Sequence, residues 1–297
     1  MALTLEKIKI QPIKVSVNKT FMVLILDATT KNNSTLKLLG REPKYWVKFA
    51  SRNYPSKIIG YTLGDNVLET IEGHIDDKYD YTIVLLSYTP LLEVRDIDEL
   101  KDYATYKGIN LCKLPVGYIV NNKYYKSTKE YMVDSIYTSG TDNFYIVENK
   151  KQYKYALEIL QDRINNFHID NGVEIVKPSS VYIEPEVDIA DGVSIQPRVS
   201  LKGETRVDAD TIIKDGAVIE NTTIGSKCYI GGSVIENSDV ADGVCIGSFC
   251  NIINCKIGKN TTIESGCNLN GCRIKSGEKI KANTNVGDTN DSSSGIR

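Results

Sequence analysis

Residues 183–219 read IEPEVDIADGVSIQPRVSLKGETRVDADTIIKDGAVI, and an aliphatic side chain returns there at every sixth position: Ile183, Ile189, Ile195, Leu201, Val207, Ile213 and Ile219. The series continues through Ile224, Ile230, Ile235, Val240, Ile246, Ile252, Ile257, Ile263, Leu269, Ile274, Ile280 and Val286, with thirteen gaps of six residues and five of five. Two positions before most of these lies a small or β-branched residue, among them Val187, Val193, Val199, Thr205, Thr211, Ala217, Thr222, Cys228, Ser238, Val244, Cys250, Thr261 and Cys267. A helix would repeat near 3.6 residues and a long strand at two. A strand of about three residues followed by a tight turn gives six, with residues i and i−2 both facing inward. Asp191-Gly192, Asp215-Gly216 and Asp242-Gly243 bring turn residues to the corners. Three strands close a triangular coil of 17 or 18 residues, so the series predicts a parallel β-helix over residues 171–287. Nineteen units make about six coils, stacked at ~4.8 Å and thus roughly 29 Å long.

The rest of the chain follows other rules. Sixteen of the 18 Tyr precede residue 156, whereas 15 of the 22 Gly lie from Gly172 onward. The whole has 297 residues and a formal net charge of −2, which gives enough length for two domains and argues against a dedicated nucleic-acid binder, normally marked by a basic face. No apolar run reaches about 18 residues, and residues 1–15 lack a signal-peptide pattern, so a cytoplasmic protein without membrane contact is expected. Seven Cys, an odd number, fit reduced thiols. Cys250 and Cys267 are 17 residues apart, as are Cys255 and Cys272, so each pair is expected to stack inside neighbouring coils. A metal or redox site is one reading of these pairs. The plainer reading is Cys as a small buried hydrophobe, since there is no CxxC pair and no His after His168 to complete a zinc set.

Residues 21–170 read as a three-layer α/β domain with a mostly parallel sheet. Phe21 to Leu26 and Thr82 to Leu86 are buried-strand runs, and Leu111 to Val120 and Phe144 to Val147 are further strand candidates. Asp96 to Lys107 and Lys151 to Asn166 have helical patterns, the latter with a stripe of Tyr155, Ile159, Leu160 and Ile164. Residues 1–20 form an extension, and residues 288–297 are polar, Ser-rich and expected to be disordered.

The stretch 160–165 (LQDRIN), then Asn171-Gly172-Val173, Pro178, Val181-Tyr182-Ile183, Leu201-Lys202-Gly203 and 232–244 (GSVIENSDVADGV) carry a resemblance. In order and spacing they resemble the hinge and early coils of the bifunctional N-acetylglucosamine-1-phosphate uridyltransferase/glucosamine-1-phosphate acetyltransferase family. The resemblance implies a nucleotidyltransferase-like, Rossmann-like domain followed by a left-handed β-helix of hexapeptide repeats that forms a homotrimer. Left-handed coiling is an exception to the usual crossover rule.

The family's chemistry is less well matched. Its first strand leads into a Gly-rich loop, where backbone N–H groups approach phosphates. Here residues 26–34 (LDATTKNNS) contain no Gly and no Arg. Lys37 is the candidate for the family Lys, and Gly40-Arg41-Glu42-Pro43 for its Gly-Lys-Pro turn. Thr62-Leu63-Gly64-Asp65-Asn66 matches the base-reading segment in part. Lys37, Thr62, Gly64, Asp65 and Thr89 are therefore the candidate nucleotide- or sugar-binding residues. The family's Gly-Asp-x-Pro-Leu-Leu becomes Ser87-Tyr88-Thr89-Pro90-Leu91-Leu92, which puts Tyr88 where the Mg²⁺-binding Asp stands. Glu148 aligns with the second metal ligand and is the candidate for any metal. Mg²⁺ is expected only where nucleotidyl transfer is retained. On the acetyltransferase side, the Arg-Pro expected near Phe249 is replaced by Ile253-Asn254, and the coils carrying the catalytic His have no counterpart. His74 and His168 read as structural or solvent-facing.

Three functions are compatible with this pattern. The first is a non-catalytic trimeric scaffold that binds a sugar nucleotide or a partner protein. The second is a diverged nucleotidyltransferase drawing its charges from Lys37, Glu148 and Asp27 or Asp65. The last in rank is a hexapeptide acyltransferase with a base other than His.

Overall fold

The computed structural model describes residues 19–28 and 37–287. Most of the extension at residues 1–20, the Gly-free stretch after Ala28 and the tail at residues 288–297 lie outside the described residues. The chain divides into two compact units, one holding Arg41–Tyr153 and the residues up to Lys37, the other holding Leu38–Gly40 and the residues from Lys154. Among the described residues no helix is long and apolar enough to cross a membrane.

The first unit is built on β1 (Phe21–Asp27), α1 (Pro43–Ala50), β2 (Ser56–Gly60), α2 (Val67–Thr70), β3 (Tyr81–Leu86), α3 (Val94–Lys107), β4 (Leu111–Lys113), β5 (Tyr118–Asn121), α4 (Asn122–Ser127) and β6 (Ser135–Ile136). Its sheet has the order β2-β1-β3-β5-β4-β6. β1 runs parallel to β2 and β3, and β5 alone runs opposite to its two neighbours. β1 lies between two parallel strands and needs apolar side chains on both faces, which is why FMVLILD is a continuous run and not an alternation. Helix α3 starts with a reciprocal cap in which the Glu93 N–H donates to Asp96 Oδ2 at 2.7 Å. It ends at Gly108, whose φ of +61° is the left-handed stop that glycine permits.

Two strand expectations change. Leu111 to Val120 is not one strand but the hairpin β4–β5, because Leu114 N–H bonds back to Gly117 C=O at 3.1 Å. Gly117 has φ +112°, and a Cβ there would fall 2.0 Å from the Val84 carbonyl oxygen, so only glycine fits. Phe144 to Val147 pairs with no strand. Its Val147 N–H donates to Tyr88 C=O at 2.9 Å, and the segment stays irregular.

Helix α5 (Lys150–Asp170) is longer than its pattern, and its buried face is Ala156, Leu160, Asn165 and His168. Tyr155 lies on the exposed side, contrary to the expected stripe, because the buried positions fall one residue later on the 3.6-residue spiral. Asn165 is fully buried, and its amide donates to Pro178 C=O at 2.8 Å, holding the turn that opens the β-helix.

The second unit is a left-handed parallel β-helix with three flat faces. Two faces carry seven strands and the third carries six, so six full coils are followed by two sides of a seventh. The count exceeds the expected six because Glu174–Ile175 pairs with Ser194–Ile195 ahead of the hexapeptide series. It escapes the six-residue pattern because a 3₁₀ turn at Pro178–Ser180 lengthens the first corner. The aliphatic positions stack as continuous interior ladders; Ile219, Ile235 and Ile252 occupy one register and are fully buried. The i−2 positions form a second kind of ladder. Ser238 N–H donates to Thr222 Oγ1 at 3.2 Å, and Cys255 N–H donates to Ser238 Oγ at 3.0 Å. Buried hydroxyls are thus satisfied by the coil above, which removes the cost of burying them.

Candidate functional site

In the first unit the carboxyl ends of β2, β1 and β3 lie side by side, the usual place for a ligand in an α/β sheet. Four segments meet there by hydrogen bonding. Tyr61 N–H donates to Asp27 C=O at 3.2 Å, which ties the loop after β2 to the end of β1. Ala28 N–H donates to Ser87 Oγ at 3.3 Å, and Ser87 N–H to Leu26 C=O at 2.9 Å, which tie β3 to β1. The Val147–Tyr88 bond brings in the segment that carries Glu148.

The sequence-predicted residues occupy this rim unequally. Thr62, Gly64 and Asp65 are exposed on the loop after β2, where Asp65 N–H bonds to Thr62 C=O at 3.0 Å and Gly64 has φ +103°. Tyr61 Oη supports that loop by donating to Asp65 C=O at 3.0 Å. Thr89 is fully buried and its hydroxyl donates to Leu86 C=O at 2.8 Å, a bond that shapes the turn after β3 and does not point to a ligand. Lys37 is exposed, and its backbone carbonyl accepts from Tyr153 Oη at 2.8 Å. Glu148 is exposed at the start of α5, its N–H donating to Gln152 Oε1 at 3.0 Å. His74 faces Lys57 Nζ at 3.2 Å in an exposed loop, and His168 is buried in α5, where desolvation holds its imidazole below the usual value.

Two features of this rim have a chemical consequence. Tyr88, which the sequence resemblance sets against a metal-binding carboxylate, is buried at 6% exposure within the hydrophobic core. Burial pushes its phenol up to about 12, with the charges of Glu148 and Tyr61 adding to the effect, so the group is neutral at ordinary pH. At the end of β1, Lys44 Nζ lies 3.1 Å from Asp27 Oδ2 and 2.8 Å from Glu42 Oε2. Its hydrogen bonds to Glu42 and then Asp27 raise the Lys44 ammonium above its usual value. The sequence does not single out Lys44. Its partner Asp27 is 17 residues away, and no local pattern announces the pair.

Mg²⁺ asks for hard oxygen ligands and is commonly held by one or two carboxylates with phosphate and water. Here a neutral, buried phenol stands where the resemblance expects one carboxylate, Asp27 is already engaged by an ammonium, and Glu148 and Asp65 are exposed carboxylates on the rim. Among the described residues no three His, Cys, Asp or Glu side chains converge as a metal set. The donor set differs from the one the resemblance implies, with a buried phenol in place of its carboxylate.

On the β-helix a shallow groove follows the six-stranded face, lined by Asp239, Asp242, Lys256, Lys259, Arg273 and Lys275. Lys256 pairs with Asp239 at 3.2 Å and Lys259 with Asp242 at 2.8 Å, each across neighbouring coils. The groove has charge and no His, and so no imidazole base for acyl transfer.

Comparison with known proteins places the resemblance on the β-helix. Residues 175–289 match the family described as the GMPPB C-terminal domain. The bifunctional protein GlmU of Streptococcus gordonii is 41% identical over 97 residues, which is 33% of this chain and 21% of that protein. The same protein of Streptococcus equi subsp. zooepidemicus is 39% identical over 106 residues, 36% of this chain and 23% of that protein. The chain thus spans about a fifth of the length of these curated relatives. A solved structure of PerB from Caulobacter crescentus, in complex with CoA and GDP-perosamine, aligns over 90% of this chain and 91% of that one. At 11% identity and a TM-score of 0.20, that likeness is too slight to bear on fold or function. The β-helix is GlmU-like.

Proposed function

We propose that this chain is a sugar-nucleotide-enzyme relative whose α/β domain binds without turning over, carried on a β-helix that assembles as a homotrimer. The observation that carries the reading is Tyr88: a buried, neutral phenol stands where the resembled chemistry requires an exposed carboxylate on Mg²⁺. The Asp27–Lys44 pair supports it, because the one carboxylate at the end of β1 is already neutralised. Nucleotidyl transfer rests on stabilising charge at the phosphoryl group, and this rim offers a neutral phenol in place of the carboxylate that would hold the metal supplying it. The exposed Thr62–Asp65 loop remains available to a nucleoside or sugar. GlmU-like β-helices commonly trimerise, and that expectation passes to this one with the sequence match.

The test is a set of melting curves with UDP-N-acetylglucosamine, UTP with Mg²⁺, and acetyl-CoA. The expected result is a shift with the UDP-sugar that does not depend on Mg²⁺ and no shift with acetyl-CoA. No shift with any of them removes the ligand-binding reading and leaves a partner protein. Light scattering is expected to give three times the chain mass, and a monomer contradicts the assembly.

A further inference from the structure

The two stacked Cys pairs have the same 17-residue spacing and different surroundings. Cys250 and Cys267 are both buried, and each thiol donates to the carbonyl oxygen of Glu264, at 3.2 and 3.1 Å. Burial pushes the Cys250 thiol up, so this pair behaves as the small hydrophobes the sequence allows. Cys255 and Cys272 face each other. Their sulfurs are 3.0 Å apart, and the Cys272 N–H donates to Cys255 Sγ at 3.4 Å. The hydrogen bond from Cys272 pulls the Cys255 thiol down to about 7, while Cys272 is held protonated above its usual value. Cys255 is 1% exposed, and Cys272 is half-buried and so reachable from solvent.

The backbone already has the geometry of a cross-link. The residues one position further on, Lys256 and Arg273, are register partners in neighbouring parallel strands, and Lys256 N–H donates to Cys272 C=O at 2.9 Å. Adjacent strands lie ~4.8 Å apart, inside the ~4.4–6.8 Å Cα range of disulfides. The sulfurs must approach by only about 1 Å to reach bonding distance.

We propose that Cys255 and Cys272 are a reversible modification site, closed to a disulfide between the fifth and sixth coils by exchange with a small-molecule disulfide. Cys255 gives up its proton to solvent, and Cys272, the accessible member, passes its own proton to Cys255 Sγ 3.0 Å away; Cys272 then attacks one sulfur of the reagent as the thiolate, forms a mixed disulfide and expels one thiolate, which takes the proton back from Cys255. Cys255 then attacks the Cys272 sulfur and expels the second thiolate. The two protein thiols are oxidised, the reagent disulfide is reduced to two thiols, and the two protons released protonate them. The bond closes a loop of the β-helix and restricts its unfolded state, so oxidation raises the melting temperature of this unit.

The test treats the full chain carrying Cys245→Ser, which removes the other half-exposed thiol of the β-helix, with oxidised glutathione. The expected product has lost two hydrogens, carries no glutathione, shows a Cys255–Cys272 bond on fragmentation and returns to the starting mass with dithiothreitol. Cys272→Ser is expected to abolish this loss, while Cys250→Ser with Cys267→Ser leaves it unchanged. Fragmentation is decisive if a variant does not fold, because it needs no further substitution. A bond between other cysteines, a lasting glutathione adduct on Cys272, or an unchanged mass would overturn the proposal.

Discussion

The β-helix and the α/β unit spend their residues differently. In the β-helix each contact is made again one coil later: Ile on Ile, and Thr222 to Ser238 to Cys255 along one corner. In the α/β unit the decisive contacts occur once, as with Gly117 under the Val84 carbonyl or Lys44 between Asp27 and Glu42. A repeated structure tolerates local change because each coil answers only to its neighbours. A contact made once is lost outright when it is broken. A site built from contacts of the second kind loses its chemistry through very few substitutions, while the scaffold stays recognisable.

Gly117→Ala is the largest expected break in this contrast. It puts a methyl group into a backbone carbonyl at a left-handed φ, and a cost of about 3 kcal/mol or more is expected. Denaturant melts should show the α/β transition moving and the β-helix transition staying in place. Equal movement of both transitions would mean that the two units unfold together.

Phe249→Gly sharpens the contrast from the other side. Phe249 sits at a β-helix corner with φ +62° and 85% exposure. Relief of that backbone strain is expected to stabilise the isolated coil by about 1 kcal/mol or less, because Gly also gains entropy in the unfolded chain. Denaturation together with light scattering checks it. A lower light-scattering mass on this substitution would show that the exposed ring has an assembly role.

The smallest effect is a pH dependence. Burial lowers the His168 pKa in the folded state relative to the unfolded value near 6.5. Below that value the unfolded chain binds the proton more readily, so stability is present at neutral pH and falls as the pH drops through and below 6.5. The Asp188 charge opposes the shift and limits its size. His168→Gln should flatten this part of the stability profile. An unchanged profile would assign the pH dependence to other groups.

Legibility in the sequence divides the same way. The β-helix can be read from Ile183 to Val286 because one physical constraint, a narrow interior filled from three short strands, is imposed nineteen times. The pattern misses only Glu174–Ile175, where the lengthened corner at Pro178 breaks the period. In the α/β unit the buried strands are legible as apolar runs, but the hairpin at Gly117 is not, since its cause is a carbonyl 33 residues earlier in the chain. For the rim, sequence points to Tyr88 through the missing carboxylate. The burial of Thr89 and the engagement of Asp27 by Lys44 depend on which strands become neighbours, and no local pattern carries that information.

The central claim is that an enzyme-like α/β domain persists here without its phosphoryl chemistry. Pyrophosphate release from UTP and N-acetylglucosamine 1-phosphate, measured with and without Mg²⁺, tests it most directly. The expected result is no release above the protein-free background under either condition. Robust release that depends on Mg²⁺, and that disappears in Glu148→Ala, would contradict the claim.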